Sequence, residues 1–147
     1  MLTVQQLETF LRQVDKDFPV PISQKKELSA YARQLCSKAT LCACCEDEQI
    51  QALVAGYTEN LPEDKAYIAL VATIAGARGK GLASGLVKQF LEICRNKKNI
   101  AAVHLYTDVT NTGAIGMYRK LGFRPLVLEN EMRPEDVHLI FYLNEET

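Results

Sequence analysis

The sequence predicts an α/β fold of the mixed α+β type, in which a mostly antiparallel sheet of about six to seven strands is flanked by helices. Two observations predict it. Along the 147 residues, the period of the apolar positions alternates between helical and strand spacing in the order ααβββαβαββ. Three consecutive strand patterns predict an antiparallel meander, and a later strand–helix–strand unit predicts a crossover. The length suits a single domain over residues 1–147.

Two helices are predicted at the start of the chain. Apolar residues fall at helical spacing over Val4–Val14 and again over Leu28–Leu35, where Ser23 is a candidate N-cap. Between them, the segment Asp15–Pro21 contains two prolines, which fix φ and push the preceding residues into extended conformations. We expect this segment to be a stiff loop and not a helix.

Three strands follow the second helix. Thr40–Cys45 and Gln49–Thr58 are rich in apolar and β-branched residues and are separated by a short acidic turn. Ala66–Ile74 is the most apolar of the three and follows a turn that contains Pro62. These strands are short and close in sequence, so we expect them to pair as an antiparallel meander.

The second half of the chain alternates helix and strand. A helical stripe runs from Leu82 to Cys94 and is followed by cations, which suit a helix C-terminus. A short helix is expected to stop at Gly122. The remaining predicted elements are a buried strand (Ile100–Thr107), that short helix (Thr112–Leu121) and two closing strands (Phe123–Leu128 and Val137–Leu143).

Composition excludes several classes of protein. Apolar residues make up 48% and charged residues 24%, so the chain is expected to fold around a core and not to be disordered. The formal charge of −1 gives no general attraction to nucleic acid or to an anionic membrane. There is neither a run of about 20 apolar residues nor a signal-peptide pattern at the N-terminus. We therefore expect a cytoplasmic protein with no nucleic-acid or membrane partner.

Five cysteines are present, and Cys42, Cys44 and Cys45 crowd into one strand. An odd number and close spacing fit reduced thiols better than disulfides. Neither of the two histidines has metal-ligand spacing to the cluster. We expect small buried core cysteines and no metal site.

The most informative segment is Thr73–Ala83, where a strand enters a helix through a glycine-rich turn. Glycines allow positive φ, and the first helical N–H groups lack intrahelical partners, so such a turn can hold a phosphate. Arg78 and Lys80 add two cations. The turn matches neither a Walker loop nor a Rossmann fingerprint. Taken alone, it indicates either a phosphate-binding turn or a plain connection.

A second segment lies about thirty residues further on. The first segment contains the run Arg78-Gly79-Lys80-Gly81-Leu82-Ala83, and the second contains Asn111, Ala114, Tyr118 and Leu121-Gly122-Phe123. In this order, the two segments resemble the Arg/Gln-x-x-Gly-x-Gly/Ala motif and the second motif of the GNAT superfamily of acyl-CoA-dependent N-acyltransferases. The resemblance covers about residues 49 to 128. It implies a GNAT-like sheet and an N-acetyltransferase that uses acetyl-CoA.

The resemblance also implies roles for particular residues. Val71, Ala72 and Thr73 would hold the acyl and pantetheine end of acetyl-CoA, the run from Arg78 to Ala83 would hold its pyrophosphate, and Asn111 would bond near the pantetheine arm. Tyr118 would donate a proton to the departing CoA thiolate. Without the motif, the favoured interpretation of this tyrosine is a core aromatic on the inner face of a short helix; with the motif, the acid role is favoured.

The general base is left open by the sequence. Some relatives carry a Glu five positions before the motif asparagine, where this chain has Tyr106. His104, two residues earlier on the same strand face, titrates in the right range and is a candidate base, although it could equally be paired with a neighbour. The other candidates are Asp108, which could instead cap the following loop, Glu59 and His138.

The acceptor is also left open. The Asp15–Pro21 loop and the Glu129–Asp136 loop are the candidate walls of its pocket, and four carboxylates in the second loop suit a cationic small-molecule amine. Two alternatives remain: a non-catalytic acyl-CoA-binding sensor, and an Nα- or lysine-directed protein acetyltransferase. Many GNAT relatives dimerise, and the final strand, Val137–Leu143, could pair across such an interface.

Overall fold

A computed structural model describes residues 1–128, 131 and 133–144 and confirms the predicted fold class and element order. The helices are α1 (Val4–Val14), α2 (Leu28–Lys38), α3 (Leu82–Arg95) and α4 (Thr112–Leu121). The strands are β1 (Thr40–Glu46), β2 (Gln49–Tyr57), β3 (Lys65–Thr73), β4 (Ala102–Asp108), β5 (Arg124–Pro125) and β6 (Asp136–Tyr142).

The six strands form one sheet in the order β1-β2-β3-β4-β6-β5. The meander β1–β2–β3 is antiparallel, as predicted, and the crossover through α3 makes β4 parallel to β3. β6 lies between β4 and β5, so its backbone is already paired on both sides at Leu139 and Ile140. The proposed pairing of this strand across a dimer interface therefore has no open edge at these two residues.

The prediction for β5 is wrong in length. The apolar run Phe123–Leu128 indicated a strand, but only Arg124–Pro125 pair with β6. The Leu126 N–H still donates to the carbonyl of His138, at 2.8 Å, before the chain leaves the sheet. The proline has no N–H to donate, and an edge strand has a partner on one side alone, so little holds this segment in the sheet.

Each face of the sheet carries its own hydrophobic core. The α3/α4 face buries a set that includes Val87, Phe90, Val103, Leu105, Tyr118, Phe123 and Leu139. The α1/α2 face buries a set that includes Leu7, Phe10, Leu11, Leu35, Leu53 and Leu70. Among the described residues, this second core takes nothing from β4 or β6. On the α1/α2 face of those two strands, the buried Ala102 and Ile140 are accompanied by polar and aromatic side chains.

Two predictions about the N-terminal segment are corrected. Ser23 does not cap α2; its N–H and hydroxyl donate to the carboxylate of Asp15 at 2.8 and 2.6 Å. The cap is Glu27, whose side chain accepts from the Ala30 N–H at 2.6 Å.

The predicted non-helical loop begins with one 3₁₀ turn, Asp15–Asp17. The prolines exclude helix only from the residues around them, so the start of the segment can continue the winding of α1.

The cysteine cluster is buried only in part. All five thiols are free, as expected, and Cys42 is buried, but Cys44 is half-buried and Cys45 is exposed. Strand alternation and a register shift between Cys44 and Cys45 place the last thiol outside the core. Among the described residues, no cluster of His, Cys, Asp or Glu is arranged to hold a metal ion.

Within the described part of the chain, no helix has both the length and the apolar character to cross a bilayer.

Gly56 is required by packing at the centre of the sheet. A Cβ at this position would overlap the ring of Phe90 and lie 2.8 Å from the carbonyl oxygen of Tyr67. We expect Gly56→Ala to lower the free energy of unfolding by about 1–3 kcal/mol. The matched control is Gly116→Ala in α4, where a Cβ meets nothing within 4 Å. That variant should gain about 0.5–1 kcal/mol from helix propensity. Urea unfolding measures both, and equal effects would contradict the packing explanation.

Candidate active site

The sheet opens into a gap between β3 and β4. The two strands pair in parallel from Lys65 and Ala102 as far as Ile68 and Leu105, and no further. Beyond that point, β3 continues against β2 and β4 continues against β6. The C-terminal ends of two adjacent parallel strands therefore diverge and leave unpaired backbone on both sides of the gap.

A register shift turns part of the β3 backbone toward this gap. Gly56 is paired with Ile68 and Ala55 with Leu70, so Ala69 is an extra, bulged residue. Further along, the Ile74 N–H donates to the Gln51 carbonyl at 2.9 Å, which makes every second residue of β3 a hydrogen-bonded partner of β2.

The residues between those partners face away from β2. They are Val71 and Thr73, whose N–H and C=O groups point into the gap. Ala72, in contrast, has its backbone groups directed toward Leu53 of β2. Of the three β3 residues singled out in the sequence, Val71 therefore offers both backbone groups and Thr73 offers its N–H, because the Thr73 carbonyl accepts from Arg78 Nε.

The glycine-rich turn has the backbone that the sequence predicted. Gly79 and Gly81 have φ of 81° and 76°, in the left-handed region that glycine adopts most readily. Gly81 is the N-cap of α3; it has no side-chain cap, and the first turn contains no acidic residue. The first main-chain bond of the helix runs from the Gly85 N–H to the Gly81 carbonyl. The N–H groups of residues 82–84 are thus free to bind an anion at the positive end of the helix dipole.

Arg78 links this turn to the Pro-rich loop. Its Nε donates to the Thr73 carbonyl at 3.3 Å, and its guanidinium contacts the carboxylate of Asp17 at 2.7 Å. The arginine therefore connects the C-terminal end of β3 with the segment after α1. Lys80 is exposed on the same turn.

On α4, Asn111 and Tyr118 have different surroundings. Asn111 is the N-cap, and its Oδ1 accepts from the Ala114 N–H at 3.4 Å. Tyr118 is buried on the α3/α4 face, with its ring against Phe123. Burial raises the pKa of the Tyr118 phenol, which keeps its proton at all physiological pH values.

The hydroxyl of Tyr118 remains accessible despite the burial of its ring. It makes no hydrogen bond with any described residue, yet no fully buried side-chain oxygen or nitrogen in the described part of the chain lacks a partner. The small exposed fraction of this residue, 4%, therefore includes the hydroxyl oxygen. The raised pKa keeps the hydroxyl protonated but makes it a weaker acid. Donation to a thiolate is favourable when the thiolate lies in the same apolar surroundings, because burial raises the pKa of a thiol as well.

A hydrogen-bonded cluster lies on the opposite face of β4 and β6. His104 Nδ1 is 2.9 Å from His138 Nε2, and His138 Nδ1 is 3.0 Å from the carboxylate of Glu131. The Tyr106 hydroxyl donates to the same carboxylate, and its ring stacks on His138 with centroids 4.1 Å apart. The guanidinium of Arg133 lies over the Tyr106 ring, 3.8 Å from its centroid.

The surroundings of these groups set their protonation. Burial, reinforced by the neighbouring His138, lowers the pKa of His104 to about 4, so His104 is neutral at pH 7. The expectation from the sequence that His104 titrates near neutral pH is therefore wrong, because that expectation took no account of desolvation. Burial and the bond to Glu131 raise the pKa of Tyr106 to about 12, which excludes this phenol as a base near neutral pH. The same bond lowers the pKa of Glu131, which is ionised.

A cavity of about 320 Å³ opens beside this cluster. Tyr106, Glu131 and His138 line it together with the chain after β5 and the start of β6. The Glu129–Asp136 loop was predicted to wall the acceptor pocket. Of its described residues, Glu131, Arg133 and Asp136 line this cavity, whereas Pro134 and Glu135 do not. Residues 129, 130 and 132 of that loop lie outside the described residues.

The comparison with known protein families decides the identity of the fold. The sequence model of the Acetyltransferase (GNAT) family matches residues 7–123, which is most of the chain. The protein belongs to the GNAT acetyltransferase family. The resemblance that the two motifs suggested is thereby confirmed, and it extends into the N-terminal helices. Among proteins with curated descriptions, no relative matches by sequence.

Solved structures show the same fold at low sequence identity. A GNAT-family acetyltransferase from Streptococcus pneumoniae aligns with a TM-score of 0.75 and 15% identity over 96% of this chain and 93% of its own. Aminoglycoside 6'-acetyltransferase type Ii aligns at 0.74 and 12% over 98% and 92%. Ribosomal-protein-alanine N-acetyltransferase from Brucella melitensis aligns at 0.67 and 14% over 96% and 96%. These likenesses establish the fold of this GNAT protein.

The structure separates the candidate bases. Asp108 accepts from the N–H and hydroxyl of Thr110 at 2.8 and 2.6 Å, which is the loop-capping role considered for it. Glu59 forms a surface ion pair with Lys97. His104 and His138 are brought together with Glu131, which sequence reasoning did not single out. The seven-residue separation of Glu131 and His138 in the sequence does not indicate a contact, and their position beside His104 depends on the β4–β6 register.

Proposed function

We propose that this GNAT protein transfers an acetyl group from acetyl-CoA to the amine of a small molecule. The observation that carries the proposal is the gap between β3 and β4, which has free backbone groups along one side and the open N-terminus of α3 at its end. This arrangement matches the chemistry of acetyl-CoA, a chain with amides in its middle and a pyrophosphate further along. Five free thiols suit the reducing environment of the cytoplasm, where we propose that it acts.

The cofactor would lie along β3. The N–H and C=O of Val71 and the N–H of Thr73 can pair with pantetheine amides as an added strand would. The run Arg78–Ala83 can hold the pyrophosphate through its backbone N–H groups and two cations. Asn111 already uses its Oδ1 as a cap, so its Nδ2 is the atom that can donate to the pantetheine arm.

The reaction would proceed by direct attack. The amine lone pair forms a bond to the thioester carbon, and the carbonyl π electrons move to oxygen, where a backbone N–H in the gap can stabilise the charge. His104 would act as base for the amine proton. A lone pair of the oxyanion then re-forms the C=O bond while the C–S bond breaks. The C–S electrons leave with sulfur, and Tyr118 protonates the thiolate. Solvent then returns a proton to the Tyr118 phenolate and takes one from His104, so the net products are an amide and free CoA.

The acceptor we propose is a cationic small-molecule amine. The cavity beside the cluster has carboxylates of Glu131 and Asp136 in its wall, which favour a cation, while Arg133 is held over Tyr106. The names of the solved neighbours include both an aminoglycoside and a ribosomal-protein acetyltransferase, so fold likeness does not select between small-molecule and protein acceptors.

A thiol-release assay tests the proposal. Acetyl-CoA is supplied with a panel of diamines, polyamines, an aminoglycoside and peptides with a free N-terminus or lysine. We expect CoA release that depends on a small cationic amine and an N-acetylated product by mass spectrometry. Release with peptides alone would favour the protein acetyltransferase. Binding of acetyl-CoA by calorimetry without release for any amine would instead favour an acyl-CoA-binding sensor.

A further inference from the structure

We propose that Glu131 and His138 fix the ring tautomer of His104, so that His104 Nε2 carries the lone pair that accepts the proton of the acceptor amine. This inference rests on the proposed acetyl transfer and adds two positioning residues to it. The chain of bonds is Glu131 carboxylate, His138 ring and His104 ring, with separations of 3.0 and 2.9 Å.

The direction of the hydrogen bonds follows from the end of the chain. A carboxylate can accept but cannot donate, so the nitrogen of His138 that faces Glu131, Nδ1, carries the proton. In a neutral ring the other nitrogen, Nε2, then has the lone pair and accepts from His104 Nδ1. The proton of neutral His104 is thereby placed on Nδ1, and its Nε2 is left unprotonated.

Tyr106 makes this direction firm. Its hydroxyl donates to Glu131, which keeps the carboxylate ionised and limits it to accepting from His138. Its ring also stacks on the His138 imidazole, with centroids 4.1 Å apart, which restricts rotation of that imidazole. The residue that replaces the glutamate of some relatives thus supports a carboxylate that comes from another part of the chain.

The free nitrogen of His104 is available to a ligand. His104 Nε2 makes no hydrogen bond with any described residue. In the described part of the chain, every fully buried side-chain nitrogen or oxygen has a partner, so this atom is not fully buried. Its Nε2 is therefore accessible. The ring lies beside Tyr67, one residue before the last β3–β4 pair, at the point where the gap opens.

The base and the acid would reach the gap from opposite faces of the sheet. Val103 and Leu105 belong to the α3/α4 core, so His104 between them points to the other face. Tyr118 lies on the α3/α4 side. An amine that approached from the His104 side and a thiolate that left toward Tyr118 would follow one line through the gap.

Charges around His104 come from several elements. Lys65 and Glu63, which pair with each other at 3.0 Å, precede the β3 neighbour of His104. Glu131 acts through His138, and Arg133 acts through the Tyr106 ring. When Nε2 takes the amine proton, the new positive charge can be shared with His138 and is stabilised by the Glu131 carboxylate at the far end.

Nitrogen NMR tests the tautomer without any catalytic readout. The chain has two histidines, so single His104→Gln and His138→Gln variants assign both rings. At pH 7 we expect each ring to show a protonated Nδ1 and an unprotonated Nε2. Glu131→Gln should shift both rings toward protonated Nε2. A wild-type His104 ring with its proton on Nε2 would overturn the inference.

Kinetics test the catalytic consequence. We expect Glu131→Gln to lower kcat by about 10- to 100-fold, a part of the 10²–10⁴ that a positioned base supplies, with KM for acetyl-CoA changed by less than about twofold. His104→Gln should lower kcat further. The matched control is Glu63→Gln, which removes an exposed carboxylate near His104 that lies outside the chain of bonds. It should leave kcat within about twofold.

The outcomes separate this inference from the proposed function. If the His104→Gln and Glu131→Gln variants kept the kcat of the wild type, the base assignment would be overturned and acetyl transfer would stay in place. Wild-type protein that binds acetyl-CoA but acetylates no amine would overturn the proposed function and the base assignment with it. An equal loss of kcat in Glu63→Gln would indicate a general field effect and would also overturn the positioning role.

Discussion

Replacing Gly81 by glutamate is expected to weaken acetyl-CoA binding by at least about 100-fold. Gly81 is the N-cap of α3 at φ 76°, next to the free N–H groups proposed to hold the pyrophosphate. A carboxylate about 5 Å from one phosphate charge costs about 3 kcal/mol at an effective dielectric constant of about 20. A side chain at this left-handed position also costs about 1–2 kcal/mol, and this cost adds to the binding loss where the turn relaxes in the free protein and must be restored on binding. Calorimetric titration with acetyl-CoA measures the loss.

Gly81→Gln is the matched control for this charge. It has the same size and the same backbone cost as Gly81→Glu, and a Cβ at this position meets nothing within 4 Å. We therefore expect the glutamine variant to bind about tenfold more weakly than wild type and clearly more tightly than the glutamate variant. If the Gly81→Glu variant bound acetyl-CoA with wild-type affinity, the pyrophosphate would not lie on this turn. Equal losses in the two variants would point to the backbone and not to charge.

Tyr118→Phe is expected to lower kcat by about 10²–10⁴ without changing acetyl-CoA affinity. The variant removes the hydroxyl proposed to protonate the CoA thiolate and keeps the ring that packs on Phe123 at 5.5 Å. That hydroxyl makes no hydrogen bond with the described residues, so its loss leaves no partner unsatisfied. Thiol release, calorimetry and thermal unfolding on one preparation separate the three quantities.

Tyr31→Phe provides the comparison for Tyr118→Phe. Tyr31 is also a phenol whose pKa is raised by burial, but it packs in the α1/α2 core, on the opposite face of the sheet from Tyr118. This variant should keep wild-type kcat. A Tyr118→Phe enzyme with full activity would return Tyr118 to the role of a core aromatic. If Tyr118→Phe lowered Tm together with kcat, the hydroxyl would be structural.

The parts of the site that are local in sequence were predictable. Gly79 and Gly81 between a strand and a helix indicated positive φ and an open helix N-terminus, and both are present. Asn111 and Tyr118, seven residues apart in the same segment, lie on one short helix whose bounds were predicted correctly. Such features depend on backbone preferences and helical period, which act within a few residues.

Other local predictions failed where a distant group competed. Ser23 is a good N-cap by type, but the carboxylate of Asp15 takes its N–H and hydroxyl, and Glu27 caps α2 instead. The apolar run after Phe123 favoured a long strand, but an edge position and Pro125 reduce it to two residues. In the first case a tertiary contact outweighs a local preference of about 1 kcal/mol. In the second, the missing N–H of Pro125 and the single neighbouring strand leave too few hydrogen bonds for a longer strand.

By itself, the sequence determined the fold class, the order of the elements, the glycine-rich turn and the resemblance that led to the family. The tertiary structure alone decided which groups surround the candidate base. His104 and His138 are 34 residues apart and meet because Tyr106 is paired with His138 in the β4–β6 register, and Glu131 arrives from a loop. The physical reason is that side-chain hydrogen bonds act over about 3 Å, whereas strand register is set by the packing of the whole sheet.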